Sequence, residues 1–153
     1  MNEMVQIKDQ LEKAFYGGAW HGPSVMEALN GISANKASSK PANDVHSIWG
    51  IVLHISAWQI AVRKRLQGIP VNLTDEEDWQ RVGDISEIEW SKDLINLRES
   101  MDDLIGAVEM FDEAKLDEKA AGQSYSNYFM LHGLVQHDVY HAGQIALLKK
   151  ILK

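Results

Sequence analysis

The sequence predicts an all-α protein that folds as a single four-helix bundle. Apolar residues recur at three- and four-residue spacing in four segments of the chain, which is the periodicity of helices that bury one face. No segment shows the alternating β-branched residues that are typical of strands. A length of 153 residues is usual for one domain and suffices to bury a core without disulfides. Four apolar stripes are best buried against one another, so we expect one bundle domain over residues 1–153.

The first predicted helix of the bundle is short and is followed by a second short apolar segment. The first ends at Gly17-Gly18. Its apolar stripe consists of Met4, Ile7, Leu11 and Phe15. The second segment, PSVMEALNGI, opens at Pro23, which suits the first turn of a helix because that turn needs no N–H donor. Its apolar positions are Val25, Leu29 and Ile32.

The first long helix follows a polar loop, SANKASSKPAND. We predict Asn43 or Asp44 as its N-cap and Gly68-Ile69-Pro70 as its end. From Asp44 to Gln67 it is about 36 Å long. Its apolar face includes one polar residue, Gln59, among Val45, Ile48, Val52, Ile55, Val62 and Leu66.

Two further long helices complete the predicted bundle. One follows the acidic, surface-like loop VNLTDEEDWQRVGD and begins at SEIE, a capping-box spacing from Ser86 to Glu89. Its stripe is Trp90, Leu94, Leu97, Met101, Leu104, Val108 and Phe111. The last runs from about Ser126 to Leu152, and its apolar face carries Leu131, Leu134, His141, Ile145, Leu148 and Leu152. The loops at about 32–43 and 69–85 leave room for connections between helices that are not neighbours.

The composition excludes several classes of function. Binding to a phosphate backbone needs clustered Lys and Arg, whereas 15 basic and 22 acidic residues give a net charge of −7, so we expect no nucleic-acid partner. The chain has no cysteine, which excludes disulfides, thiolate nucleophiles and Cys-ligated metals. No apolar run is long enough to cross a bilayer, so we expect no membrane partner. The first ten residues lack the features of a signal peptide, and we expect a cytoplasmic protein.

A candidate metal-binding motif lies in the last helix, at QHDVYHAGQ. His137 and His141 are one helical turn apart, with Cβ atoms about 5–6 Å from each other, so both imidazoles can reach one ion at about 2.0–2.1 Å. Such a pair taken alone is equally compatible with one buried and one surface histidine. However, His141 lies on the apolar stripe, where a lone imidazole needs a polar partner.

The third candidate ligand is His54, near the middle of the first long helix. Histidines on two facing apolar helices are what a metal site inside a bundle requires, and three imidazoles with an open position are typical of catalytic zinc. We therefore predict His54, His137 and His141 as ligands of a divalent ion. Trp58, one turn beyond His54, is predicted to line a pocket. The other histidines are predicted to lie outside the site, namely His21, His46 and His132.

Asp138, directly after His137, has two interpretations. It stands where the His-Glu-x-x-His helix of metalloproteases carries its general base, so Asp138 is the candidate catalytic residue. The alternative is a solvated surface charge or a salt bridge, since aspartate is one methylene shorter than glutamate. A di-iron centre is disfavoured, because it needs paired Glu-x-x-His motifs and Asp138 is the only acid three residues before a histidine.

Three other residues of the motif are also of interest. Gln144 and Tyr140 are candidates to contact the metal ligands and orient them. Gly143 costs about 1 kcal/mol inside a helix relative to alanine. Close approach of a neighbouring helix or chain would explain its presence.

Three stretches resemble the DinB/YfiT-like superfamily and together cover essentially the whole chain. LNGISANKASSKPANDVHSIWGIVLHISAWQIAVRKRLQG resembles the family's first-ligand helix, with His54 at the ligand position. EWSKDLINLRESMDDLI resembles the third helix. LHGLVQHDVYHAGQIALLKK, the most specific stretch, resembles the last helix, with His137 and His141 at the paired ligand positions.

The resemblance implies a fold, a cofactor and several activities. The fold is an up-down-down-up four-helix bundle, the cofactor is a divalent ion such as zinc or nickel on three histidines, and the assembly is a homodimer. Some relatives are S-transferases that join a low-molecular-weight thiol, such as bacillithiol or mycothiol, to an electrophile. Others are thiol-dependent isomerases, and a hydrolase reaction is a further alternative.

Three hypotheses of function follow. The first is a metal-dependent enzyme of the thiol S-transferase or hydrolase type. The second is a metal-binding stress or sensor protein without turnover. The third is a helical dimerisation module whose histidines are hydrogen-bonded core residues. Near-stoichiometric metal in the purified protein separates the third hypothesis from the other two.

Overall fold

The computed structural model of the chain describes residues 2–153, which form seven α-helices. The four long helices are α1 (Glu3–Phe15), α4 (Ile48–Leu66), α6 (Glu87–Met110) and α7 (Asn127–Ile151). The short helices are α2 (Val25–Leu29), α3 (Ala34–Ser38) and α5 (Asp75–Asp78), with a 3-10 turn at Glu113–Lys115. The described residues contain no β-strand, which confirms the all-α prediction. None of the helices described here is both long and apolar enough to span a membrane.

The four long helices pack as a bundle in which each contacts two others. α4 has its most extensive contact with α6, α7 lies against α1 and α4, and α1 packs against α6. The predicted stripes meet in one core, where Phe15, Ile55, Leu104 and Ile145 are fully buried. Each such side chain contributes about 1.5–3 kcal/mol to folding. The up-down-down-up order of the helices stays a prediction.

Serine is the N-cap of five helices. In each case the hydroxyl accepts the backbone N–H of the residue three positions later, which is otherwise without a partner. The caps are Ser24, Ser33, Ser47, Ser86 and Ser126. The predicted helix starts at Ser86 and Ser126 are therefore confirmed.

Two predicted helix starts are wrong. The first long helix does not begin at Asn43 or Asp44, because Ser47 caps it through Gly50 N–H at 3.0 Å. Val45, which we placed on the apolar face of this helix, is exposed, so it makes no core contact that would stabilise an additional turn before Ile48. Pro23 precedes the Ser24 cap of α2 and does not lie in the first turn.

The acidic loop between α4 and α6 contains a structural element that the sequence analysis did not predict. Thr74 and Glu77 form a reciprocal capping box around α5, each side chain accepting the other residue's backbone N–H. This short helix packs against α4. As a result, the residues at its end, Asp78 and Trp79, lie beside the middle of α4.

Candidate metal centre

Three histidines from two helices meet at one place in the bundle. His54 lies on α4, and His137 and His141 lie one turn apart on α7. Nε2 of His137 is 2.9 Å from Nε2 of His54 and 3.1 Å from Nε2 of His141. The ligand nitrogens of all three lie within 4.8 Å of one another. We call these residues the three-histidine site, and it is the set predicted from the sequence.

Two of the nitrogen separations are close to those expected around one metal ion. Two nitrogens that are each about 2.0–2.1 Å from a tetrahedral zinc ion lie about 3.3 Å apart. The observed 2.9 and 3.1 Å are close to this value. Among residues 2–153, no fourth His, Cys, Asp or Glu joins the group. The geometry therefore fits an ion with three protein ligands.

Asp78 orients the ring of His54. Its main-chain carbonyl oxygen and its Oδ1 each lie 2.9 Å from Nδ1 of His54. Both are acceptors, so Nδ1 carries the proton and Nε2 directs its lone pair toward His137. The indole N–H of Trp58 donates to the same Oδ1 at 2.7 Å. A histidine whose second nitrogen donates to a carboxylate or carbonyl is the usual arrangement at metal sites.

Gln144 orients the ring of His141 in the same way. Oε1 of Gln144 lies 2.6 Å from Nδ1 of His141, which confirms the predicted contact. Nδ1 therefore donates, and Nε2 directs its lone pair toward His137. Burial lowers the pKa of His141, although the hydrogen bond to Gln144 opposes this effect. A ring kept neutral in this way is in the form that binds metal.

His137 lies between these two lone pairs. Burial, followed by repulsion from His141 and His54, lowers the pKa of His137 to about 3, so its ring is neutral at neutral pH. A neutral imidazole has one N–H and donates to only one neighbour. Its buried Nδ1 has no hydrogen-bond partner in the described part of the chain. No tautomer satisfies every nitrogen, whereas a cation accepts all three Nε2 lone pairs at once, so the residues fit a bound metal.

A protein-family model described as the DinB superfamily matches residues 20–145, a segment that contains all three histidines. The chain belongs to the DinB superfamily. Searches of curated proteins and of solved structures gave no significant match. The family predicted from the sequence is thus confirmed, and the matched segment of this DinB chain includes the three-histidine site.

Aromatic rings cover one side of the site in this DinB protein. The indole of Trp79 lies between the rings of His46 and His54, with centroids 3.5 and 3.8 Å away and both interplanar angles at 5°. Trp58 meets His137 edge-on at 6.3 Å. His46 is not a member of the three-histidine site, as predicted; it is exposed and its ring supports Trp79.

Asp138 has a different environment from either interpretation of the sequence. It is fully buried in the DinB core, so the prediction of a solvated surface charge is wrong. Neither carboxyl oxygen has a hydrogen-bond partner among residues 2–153. Burial raises the pKa of Asp138 to about 8, so the carboxyl is protonated at neutral pH and is then a proton donor rather than a base. A role for Asp138 in catalysis stays a prediction.

The remaining predictions for this region have mixed outcomes. His132 lies apart from the site, with Nε2 2.9 Å from Oε1 of Glu3, as predicted. His21 is exposed and is also outside the site, as predicted. Gly143 is exposed, and a Cβ built on it meets nothing within 4 Å, so no helix of the same chain requires this glycine. Contact with a second chain stays a prediction.

Two residues of the DinB site, Asp78 and Trp79, were not predicted from the sequence. Both lie in the loop that we took for an acidic surface. The signal that would have found a folded turn there was the capping-box spacing from Thr74 to Glu77. That signal predicts the turn but not its contact with His54, which depends on the packing of α5 against α4.

Proposed function

We propose that this DinB protein binds one divalent ion, zinc or nickel, through His54, His137 and His141 and uses it in catalysis. One observation carries the proposal: three buried or half-buried imidazoles converge with Nε2 separations of 2.9 and 3.1 Å. Asp78 and Gln144 hold two of the rings so that their lone pairs face inward. That orientation is unfavourable unless a cation lies between the rings.

The reaction class is supported by the open coordination position of such a site and by the activities that the family resemblance implies. Three protein ligands leave a coordination position for a small molecule, as in catalytic rather than structural zinc sites. When bound, a divalent ion acts as a Lewis acid that lowers the pKa of a water or thiol attached to it. We propose a thiol S-transferase that joins a low-molecular-weight thiol to an electrophile, with a hydrolase as the alternative.

The residues around the site support a reaction that is shielded from bulk water. Trp79 covers the face of His54, and His46 holds Trp79 from the opposite side. The Trp58 indole restrains Asp78, which in turn restrains His54. The chain thus orients its ligands through a connected set of hydrogen bonds and stacked rings, which is the arrangement that catalytic sites need.

Metal analysis tests the binding part of the proposal. Untagged protein, purified without a nickel column, is expected to contain close to one zinc or nickel ion per chain. The variants His137→Ala and His141→Ala are expected to lose it. The matched control is His132→Ala, which removes a histidine of the same helix outside the site and is expected to retain the metal. Wild-type protein without a near-stoichiometric ion would contradict the proposal.

Turnover tests the catalytic part. Metal-loaded protein is assayed against a panel of low-molecular-weight thiols with 1-chloro-2,4-dinitrobenzene, and against activated esters. We expect activity in wild type and His132→Ala, and none in His137→Ala. Activity that survives complete metal removal contradicts a metal-dependent reaction. Tight metal binding without turnover on any substrate favours the sensor hypothesis.

A further inference from the structure

We propose that the cavity beside His137 is the substrate pocket and that it takes a small apolar molecule bearing a carboxylate, which Arg65 binds. The inference rests on the proposed function, because it assigns to the same metal site the class of its substrate. It comes from the position of one buried cation at the wall of an otherwise apolar space.

The cavity lies between α4 and α7 and has a volume of about 230 Å³. Its walls are largely apolar and include Trp58, Phe129 and Leu134, with His137 of the three-histidine site among the lining residues. An apolar cavity of about 150 Å³ in another protein takes up benzene. The space here therefore suits a single ring with one or two substituents, which would lie next to a metal ligand.

Arg65 lines this cavity and is the one cationic side chain that does so among the described residues. It is buried, with 4% of its surface exposed. Its Nε and Nη2 donate to the carbonyl oxygen of Val71 at 3.0 and 2.8 Å, and its Nη1 donates to the hydroxyl of Tyr125 at 2.7 Å. A guanidinium has five N–H groups, so one on each of Nη1 and Nη2 is left without a partner in residues 2–153.

No carboxylate within the described residues forms an ion pair with Arg65. Arg63, also on α4, does have a carboxylate partner. Its Nη1 lies 3.7 Å from Oδ2 of Asp103. A buried charge is costly unless it is paired, and the α4 C-terminus compensates only part of a full charge. A ligand carboxylate would supply the missing negative charge, and two free N–H groups are the number that a bidentate carboxylate accepts.

The distance between Arg65 and the metal site limits the length of the substrate. The Cζ atom of Arg65 lies 5.5 Å from the ring of Trp58, whose centroid is 6.3 Å from that of His137, so Arg65 and His137 are within about 12 Å. A molecule of one ring and a short side chain spans this gap. Its carboxylate would meet Arg65 while its other end reaches the coordination position beside His137.

The test measures binding by calorimetry on metal-loaded protein, with 3-phenylpropanoate as the probe and the neutral 3-phenylpropanamide as its isostere. We expect the acid to bind at least 10-fold more tightly than the amide. Loss of a charge-assisted hydrogen bond weakens binding by a factor of about 10 to 100. Arg65→Met should therefore lower the affinity for the acid by that factor and leave the affinity for the amide unchanged. Arg63→Met is the matched control, because it removes a cation of the same helix outside the cavity.

A second variant keeps the inference testable if Arg65→Met does not fold. Gly133 lines the cavity, and a Cβ built on it meets nothing within 4 Å. Gly133→Leu is therefore expected to fold and to retain its metal. Its leucine side chain should fill the cavity and prevent the binding of both probes. Equal affinity for acid and amide in wild type, or unchanged acid binding in either variant, overturns the inference.

Two outcomes separate this inference from the proposed function. Acid binding that survives Arg65→Met but disappears when the metal is removed places the carboxylate on the ion, which overturns the inference and leaves the proposed function intact. Protein that binds the acid through Arg65 but holds no metal contradicts the proposed function and, with it, the assignment of the cavity to a substrate. Metal content is therefore measured on every sample.

Discussion

Nδ1 of His54 lies 2.9 Å from both the main-chain carbonyl oxygen and Oδ1 of Asp78. The contact joins the middle of α4 to the end of α5, 24 residues further along the chain. It assigns the proton of His54 to Nδ1 and directs the Nε2 lone pair at His137. The orientation of one candidate metal ligand therefore depends on a short helix that contributes no ligand itself.

The first prediction concerns this contact. Asp78→Ala should weaken metal binding about 10-fold, because partners of ligating histidines typically contribute a factor of 10 to 100 and the main-chain carbonyl of residue 78 remains. Asp78→Asn should lose less metal affinity, since an amide oxygen still accepts the hydrogen bond from Nδ1 of His54. Competition with a fluorescent zinc chelator measures the affinity. Asp75→Asn, at the exposed start of the same helix, is the control, and equal affinities in all four proteins would refute the role of Asp78.

The second prediction concerns thermal stability with and without metal. A ligand at about 100 times its Kd stabilises the folded state by about 2.7 kcal/mol, and about 1 kcal/mol raises Tm by about 2–4 °C in a chain of this size. Zinc should therefore raise the Tm of the metal-free protein by about 5–10 °C. Differential scanning calorimetry should show the same increase in His132→Ala and none in His141→Ala. An unchanged wild-type Tm would argue against the three-histidine site.

The third prediction concerns Asp138 and the pH dependence of stability. Its pKa is about 8 when folded and 3.8 when unfolded, so between these values the folded state holds more protons than the unfolded state. The free energy of unfolding therefore decreases, through Asp138, as pH rises toward 8. From pH 6.5 to 8 the loss should be about 1–2 kcal/mol.

Urea unfolding of metal-free protein at the two pH values measures this effect. Asp138→Asn replaces the protonated carboxyl with a neutral group of the same shape, so its stability should not decrease in this way between pH 6.5 and 8. The free energies of unfolding of wild type and variant should therefore differ more at pH 8 than at pH 6.5. The comparison cancels the titration of the histidines, which both proteins share. A parallel pH dependence in the two proteins would mean that Asp138 is not protonated in the fold.

The fourth prediction concerns the homodimer implied by the family. One face of α7 carries exposed apolar side chains at Tyr140, Leu147 and Ile151, with the bare backbone of Gly143 between them. We expect this face to pair with a second copy. Light scattering at micromolar concentration should give a dimer for wild type and a monomer for Leu147→Glu. Met110→Glu, which changes an exposed apolar residue on α6, is the control. A monomeric wild type contradicts the prediction.

The sequence predicted the long helices well because helix formation depends on neighbours in the chain. Capping serines at Ser86 and Ser126 and apolar spacing of three and four residues are local features, and both helices begin where these features place them. The start of α4 was predicted too early. An asparagine, an aspartate and a serine all serve as caps, and the choice among them depended on whether Val45 had a core to pack against.

The sequence by itself also determined the pairing of His137 with His141, since one helical turn separates them wherever α7 lies. Only the tertiary structure decided that His54 faces this pair, that Asp78 and Trp79 restrain it, and that Asp138 is buried without a partner. The physical reason is that contacts between distant segments depend on which helix faces pack together. The spacing within a single helix does not contain that information.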